Sequence, residues 1–190
     1  VAQTVAGITY GNLIFSYGGA SAKTLNASST VNGDITINIG SSVNASSYTI
    51  NLGGNWSNAG TFVPATSTVV LNGISKTIKG ATTFNKVTVY GDYAVINNSD
   101  ITYNDLLLVT STGIYSAGGG TATVNGDLTN SGSLTSTGIT TFTGTSLQTI
   151  RLINALVSTS TGVVYFNGNV APVLNSTSAP TFANLNINNT

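Results

Sequence analysis

Residues 54–62 read GNWSNAGTF and return further along the chain as GDLTNSGSL at residues 126–134. The match extends downstream, because Thr77-Ile78-Lys79 corresponds to Thr149-Ile150-Arg151. Inside this long period lies a shorter one, in which a Gly beside Asn or Asp recurs roughly every 20 residues. Fixed periods of this kind are typical of repeat architectures, in which each unit packs on its neighbours.

One short unit has the composition of strands and turns. Residues 34–39 read DITINI, with Ile at every second position, which is the pattern of a strand that buries one face. Gly and Asn between such strands tolerate the positive φ that sharp corners need. We therefore predict an all-β fold, a β-solenoid (parallel β-helix) of about nine coils of roughly 20 residues. The alternative is a β-sandwich with strand exchange, but hairpin meanders show turn signals about every 8–12 residues, a shorter spacing.

The repeats run through the whole chain and predict a single solenoid domain over residues 1–190. We place internal long repeats at about 7–80 and 81–152, with a partial repeat at 153–190. About three or four of the short units then make up one long repeat.

The charge of the chain argues against two classes of partner. There are 5 Lys and Arg residues, 5 Asp and Glu residues and no His, so the net charge is close to zero. Such a chain has no long-range field to attract phosphates or anionic lipids. No stretch approaches the roughly 18 apolar residues that a membrane span requires. We expect neither nucleic-acid binding nor membrane insertion.

The inventory of reactive side chains argues against an enzyme. Without His or Cys, Ser-His-Asp and Cys-His arrangements are impossible, and transition-metal sites lose their best ligands. Paired carboxylates could still serve a glycosidase or, with calcium, a polysaccharide lyase, but five Asp residues give this reading little support. We expect no catalytic residues, no metal site and no cofactor.

Three of the aspartates stand at similar places in the short repeat. Asp34, Asp92 and Asp127 each follow a Gly, and in a stack they could line one edge and bind calcium. Asn12 and Asn55 occupy matching places, and Asp and Asn cap turns equally well by accepting backbone N–H bonds. Turn capping is therefore the favoured interpretation.

Trp56 is the single tryptophan of the chain. Its aromatic face could stack on a sugar ring. The residue at the corresponding place in the second long repeat is Leu128, an ordinary core residue. We therefore expect Trp56 to lie half buried at a corner of the fold.

The repeated blocks also carry a family resemblance. Residues 54–62, 69–73 and 82–89 resemble the Gly/Asn/Thr-rich tandem repeats of large bacterial secreted surface proteins and adhesins predicted to form β-helices. The resemblance covers most of residues 29–151. It implies a secreted or cell-surface location and a structural or adhesive role, and it brings no catalytic residues with it. The chain is short compared with the long arrays of that family.

A further signature links the two ends of the chain. TYGNLIF at residues 9–15 returns as TFNKVTV at 83–89 and as TFANLNI at 181–187, which predicts that the chain begins and ends in the same phase of its repeat. Exposed solenoid edges template pairing with another chain unless a helix, charges or proline protect them, and the sequence shows no amphipathic helix and almost no charge at either end. Head-to-tail stacking would then build an open filament. The expected subunit interface consists of Thr9, Tyr10, Leu13, Phe15, Thr181, Phe182, Leu185 and Ile187.

The sequence thus predicts a self-assembling structural subunit of an extracellular filament or surface fibre, with further copies of itself as partners. The alternative is a monomeric adhesive or carbohydrate-binding surface module that recognises glycans or host and cell surfaces. Asn-x-Ser/Thr sequons would matter if the protein is secreted by an organism that glycosylates such proteins. They begin at Asn26, Asn44, Asn55, Asn97, Asn175 and Asn188.

Overall fold

The computed structural model describes residues 3–16, 22–154, 156–158, 162–170, 172–177 and 179–188. Within these residues there is no helix, and every paired strand runs parallel to its neighbour. The chain winds into a β-solenoid of about 8 turns of roughly 21 residues. The prediction of an all-β solenoid of about nine coils of roughly 20 residues is confirmed to within one coil. The sandwich alternative is wrong, because its hairpins would pair antiparallel strands.

The strands are short, as expected for a chain that turns a corner every few residues. They are β1 (Gln3–Val5), β2 (Thr9–Tyr10), β3 (Leu13–Phe15), β4 (Lys23–Leu25), β5 (Ser29–Val31), β6 (Ile35–Ile37), β7 (Ser42–Asn44), β8 (Thr49–Leu52), β9 (Trp56–Asn58), β10 (Thr61–Val63), β11 (Thr68–Leu71), β12 (Lys76–Lys79), β13 (Thr82–Val89), β14 (Asp92–Ile96), β15 (Ile101–Val109), β16 (Ile114–Ser116), β17 (Thr121–Val124), β18 (Asp127–Asn130), β19 (Ser133–Ser136), β20 (Ile139–Phe142), β21 (Thr149–Leu152), β22 (Leu156–Ser158), β23 (Val163–Phe166), β24 (Val173–Ser176) and β25 (Asn184–Ile187).

Each of the first four turns contributes one strand to each of three faces. Face A begins with β1, β4, β7 and β10, face B with β2, β5, β8 and β11, and face C with β3, β6, β9 and β12. In the fifth and sixth turns, β13 and β15 run through the corner between faces A and B. Residues 101–103 of β15 accordingly pair with β17, whereas residues 106–109 pair with β18. From there β17, β20, β23 and β25 continue face A, β18, β21 and β24 continue face B, and β14, β16, β19 and β22 continue face C.

The core is a column of inward-facing side chains along the solenoid axis. In β6 the two isoleucines, Ile35 and Ile37, are each 1% exposed, while Thr36 between them faces outward. This is the burial that the alternation in DITINI predicts. A row of aromatic residues fills the middle of the column, with ring centroids 4.9 Å to 6.4 Å apart. Its members are Trp56, Phe62, Phe84, Tyr103 and Tyr115.

Three tyrosine hydroxyls lie in this core. Tyr93 Oη donates to the carbonyl oxygens of Leu52 and Gly54, each at 2.9 Å, and Tyr103 shares a hydrogen bond with Tyr115. Burial raises the pKa of Tyr93 to about 12 and also raises the pKa of Tyr103 and of Tyr115 well above the usual value. All three hydroxyls are neutral at physiological pH. Tyr93 links its turn to an earlier turn, and Tyr103 and Tyr115 link two faces of one turn.

Face A is interrupted between the fourth and fifth turns. β10 pairs with β7 but not with β13, although faces B and C continue across the same level. Side chains bridge the gap: Trp56 Nε1 donates to Thr82 Oγ1 at 3.2 Å, and Asn58 Nδ2 donates to the same oxygen at 3.1 Å. Trp56 is 1% exposed, so the expectation that it would be half buried is wrong. The aromatic row encloses its indole completely.

The long repeat does not keep its phase in space. Trp56 lies on face C, whereas Leu128, its counterpart in sequence, lies on face B. The reason is that turns differ in length, because Lys76 pairs with Tyr93 after a short turn and Ile139 pairs with Val163 after a longer one. The interval between the two motifs is therefore not a whole number of turns, and the second motif falls on a different face.

The phase prediction for the two chain ends fails for the same reason. Within the recurring signature, Leu13 lies on face C, Val87 lies on face B, and Leu185 lies on face A. The prediction that the chain begins and ends in the same phase is wrong. The limits proposed for the long repeats stay a prediction.

Candidate functional site

The first turn forms an open end of the solenoid. β1, β2 and β3 pair on one side only, with β4, β5 and β6. Val5, Tyr10 and Leu13 are partly buried against the core, and Phe15 is 4% exposed. Together with the inward-facing Lys23 they line an open concavity of about 530 Å³. This end therefore combines unpaired backbone edges with apolar side chains.

The last turn forms the opposite end. β24 pairs only with β21, β25 pairs only with β23, and the Thr181 N–H donates to the Leu156 carbonyl oxygen at 3.1 Å. Leu174 is 46% exposed, Leu185 48% and Ile187 66%, because no further turn covers them among the described residues. No charged side chain follows Arg151 in the sequence. This end therefore presents apolar side chains without charged ones.

The structure places the predicted interface residues at these two ends. Thr9, Tyr10, Leu13 and Phe15 lie in the first turn, whereas Thr181, Phe182, Leu185 and Ile187 lie in the last. The two groups lie at opposite ends of the molecule and do not meet within one copy. The sequence analysis missed Val5 and Leu174, because neither belongs to the recurring signature.

The two ends nevertheless match when a second copy is rotated by one face. The final strand on face A is β25, that on face B is β24, and Thr181 and Phe182 adjoin Leu156 of face C. The first turn offers β1, β2 and β3 on the same three faces in the same chain order. The chain ends on face A, so its winding would continue on face B. A second copy on the axis therefore continues the winding after rotation by one face, with β1 over β24, β2 over Thr181 and Phe182, and β3 over β25.

The corner between faces B and C carries a ladder of side-chain hydrogen bonds. The Asp34 N–H donates to Asn12 Oδ1 at 2.7 Å, the Asn55 N–H to Asp34 Oδ1 at 2.8 Å, and the Thr77 N–H to Asn55 Oδ1 at 2.9 Å. Each side chain thus caps the backbone of the next turn. The prediction that Asp34 acts as a cap is confirmed, although the N–H belongs to a neighbouring turn and not to its own.

Asp127 caps in the same way at a different corner. Its Oδ1 accepts the Thr149 N–H at 2.8 Å, at the corner between faces A and B. Asp34 precedes β6 and Asp92 begins β14, both on face C, so the alternative in which the three aspartates line one edge is wrong. Within the described part of the chain, no three His, Cys, Asp or Glu side chains are grouped as metal ligands.

Removal of one rung tests the ladder. Asn55→Ala is expected to lower the free energy of unfolding by about 1 kcal/mol, because the Thr77 N–H and hydroxyl lose their shared acceptor. Asn55→Asp keeps that acceptor and should cost less. Urea unfolding followed by circular dichroism measures both, and equal losses in the two variants would contradict a capping role for the Asn55 side chain.

The six sequons differ in accessibility. Asn55 uses its amide in the corner ladder, since Nδ2 donates to Asp34 Oδ1 at 3.0 Å. Asn44 is half buried, and its Oδ1 accepts the Ser46 N–H at 2.8 Å. The exposed sequon asparagines are Asn26, Asn97, Asn175 and Asn188. Glycosylation stays a prediction for all six.

A groove indents the corner between faces A and B in turns six to eight. Strand β15 passes through this corner unbroken, two residues separate β17 from β18, and the six residues 143–148 separate β20 from β21. The six-residue loop overhangs the shorter corners and encloses a cavity of about 540 Å³. We call this cavity the corner groove, and its floor is formed by Asn104, Asn125 and Gly126. No sequence motif marked it.

Comparisons with protein-family models, with curated proteins and with solved structures give no significant match. Across the residues described, no helix is long and apolar enough to cross a membrane.

Proposed function

We propose that the protein is a non-catalytic structural subunit of an extracellular filament or surface fibre, which assembles head to tail through its terminal β-edges. The observation that carries this proposal is the pair of matching open ends. At each end of the described solenoid, faces A and B finish in a strand paired on one side only, and apolar side chains line the opening. The partner of each copy is a further copy of the same chain.

Stacking would pair the free backbone edges of the terminal strands and bury the exposed apolar side chains at the two ends. Unpaired strand edges template pairing with another chain. With the second copy rotated by one face, Leu185 and Ile187 of one copy would pack against Leu13 and Phe15 of the next, and Leu174 would lie against β1. Burial of the exposed part of each aliphatic side chain contributes about 1 kcal/mol. At about 4.8 Å per layer, the nine stacked strands of face B give an axial rise of roughly 43 Å per subunit.

The extracellular location rests on composition and on the family resemblance. Only 5% of the residues are charged, and the outward positions of the strands are largely Thr, Ser and Asn. Such a neutral, hydroxyl-rich surface resembles the repeats of secreted bacterial surface proteins.

Electron microscopy of the purified protein at neutral pH tests the proposal. We expect unbranched filaments with an axial repeat of about 43 Å in the wild type. Ile187→Lys places a charge in the joint and should abolish filaments, because a buried unpaired ammonium is costly. The matched control is Ile74→Lys, since Ile74 is similarly exposed at 76% but lies on the side of the solenoid, between β11 and β12.

Two results would contradict this assembly. Wild-type protein that sediments as a monomer at high concentration would exclude end-to-end stacking as its state. Filaments that persist in Ile187→Lys, or that disappear in Ile74→Lys, would show that the joint lies elsewhere on the molecule.

A further inference from the structure

We propose that the corner groove binds a neutral sugar, as a ligand site separate from the two ends of the solenoid. The groove lies on the lateral surface in turns six to eight, well inside the chain. Its volume of about 540 Å³ falls within the range of small-ligand sites. The groove opens on the side of the solenoid, whereas stacking would use the strand edges of the first and last turns, so the site does not depend on head-to-tail assembly.

The floor of the groove is held by side-chain hydrogen bonds between turns. Asn125 Nδ2 donates to Asn104 Oδ1 at 3.1 Å, and Thr143 Oγ1 donates to Asn125 Oδ1 at 2.6 Å. One amide or hydroxyl from each of three successive turns is thereby fixed in a row. A ligand that binds such a preorganised row loses less free energy in ordering it.

The overhanging loop is fixed at its base. Gln148 is 3% exposed, and its Nε2 donates to the Val124 carbonyl oxygen at 2.8 Å. Next to it, the Thr149 N–H donates to Asp127 Oδ1. These bonds tie the loop to the preceding turn, so the wall of the groove is part of the folded corner.

The lining has the hydrogen-bonding chemistry that sugar hydroxyls need. Asp105 and Asp127 supply carboxylate oxygens, and the asparagines and Thr145 supply groups that donate and accept. Hydrogen bonds to a charged acceptor are the stronger kind. Leu147 is 64% exposed in the wall and offers an apolar surface for the C–H groups of a pyranose ring.

The net charge of the groove determines which class of sugar it favours. Lys86 Nζ lies 3.3 Å from Asp105 Oδ2 and offsets that carboxylate, which leaves the charge of Asp127 as the excess. A net negative lining disfavours uronic acids, sialic acids and phosphates. The ligand class is therefore an uncharged hexose or N-acetylhexosamine.

Calorimetric titration of the full-length chain with cellotriose, chitotriose and trigalacturonate tests the proposal. We expect binding of at least one of the two neutral trisaccharides and no binding of trigalacturonate. Asp127→Asn keeps the acceptor for the Thr149 N–H but removes the charge, and it should weaken binding about tenfold. Leu147→Asp should weaken it at least as much. The matched controls are Asp34→Asn, at the other corner, and Ile74→Asp, and neither should change the affinity.

Thermal unfolding curves establish that each variant is folded before titration. Absence of binding to both neutral trisaccharides would overturn the proposal, as would equal binding of trigalacturonate. Unchanged affinity in Asp127→Asn and Leu147→Asp would place any sugar site outside the groove. None of these outcomes depends on whether the protein forms filaments, so the two proposals fail independently.

Discussion

Trp56→Ala is expected to lower the free energy of unfolding by about 3–5 kcal/mol. Trp56 is 1% exposed and packs edge-on against Phe62 and Phe84, with ring centroids 4.9 Å and 5.0 Å away. Truncation leaves a cavity at the level where face A lacks backbone pairing. It also removes one of the two donors to Thr82 Oγ1 that bridge the gap. Neighbouring strands cannot close the cavity without breaking faces B and C.

Guanidinium unfolding followed by circular dichroism measures this loss. Trp56→Phe separates the two contributions, because it keeps an aromatic ring and loses the indole N–H, and it should cost less than the alanine variant. Ile74→Ala is the surface control, with an expected change within about 0.5 kcal/mol. If Trp56→Ala lowers the free energy of unfolding by less than about 1 kcal/mol, the aromatic row is not closely packed around Trp56.

The fold class follows from the sequence because period and alternation are local properties. A strand such as DITINI at residues 34–39 reveals its buried face through the isoleucines alone. The recurrence of Gly with Asn or Asp marks corners, and the spacing of these corners distinguishes a solenoid turn from a hairpin. Both signals can be read from the sequence without any knowledge of long-range contacts.

The face on which each residue lies cannot be predicted from the sequence, because it depends on the lengths of all the preceding turns. The separation along the chain between paired residues is shorter for Lys76 and Tyr93 than for Ile139 and Val163. The corner at residues 143–148 is also longer than the two corners before it. One inserted residue is almost invisible in a low-complexity sequence, yet it moves every later motif along the turn. Residues 54–62 and 126–134 therefore match in sequence but lie on different faces.

The candidate sites, too, could be predicted from the sequence only in part. Residues at the two ends were identified because their signature recurs, but the face on which each lies required the strand pairing. The corner groove could not be predicted from the sequence, since Asn104, Asn125 and Thr143 come from three turns and meet only when these turns are in register. Asp127 was correctly taken as a cap, and its second carboxylate oxygen gave no sequence signal of a ligand site.

Gly80→Ala is expected to lower the free energy of unfolding by about 3 kcal/mol. Gly80 has a φ of +90°, which disfavours an L side chain, and a Cβ built there would lie 1.8 Å from the Asn58 carbonyl oxygen. Backbone atoms cannot move aside as a flexible side chain would, so the two turns must separate. The Gly80 N–H also donates to Ser99 Oγ at 2.8 Å, which ties this bend to the next turn. The close approach directly follows the Lys79–Ser57 pair of the β12–β9 ladder on face C, so this ladder opposes the separation.

Gly11→Ala is the matched control, because no heavy atom lies within 4 Å of the place that a Cβ would take there, and the φ of Gly11 is not in the left-handed region. A methyl group there restricts the unfolded chain and should leave stability unchanged or raise it by up to about 1 kcal/mol. Denaturant unfolding of both variants gives the comparison. Equal effects would mean that the backbone at Gly80 relaxes freely, and that the β9–β12 ladder does not hold Gly80 and Asn58 at a fixed separation.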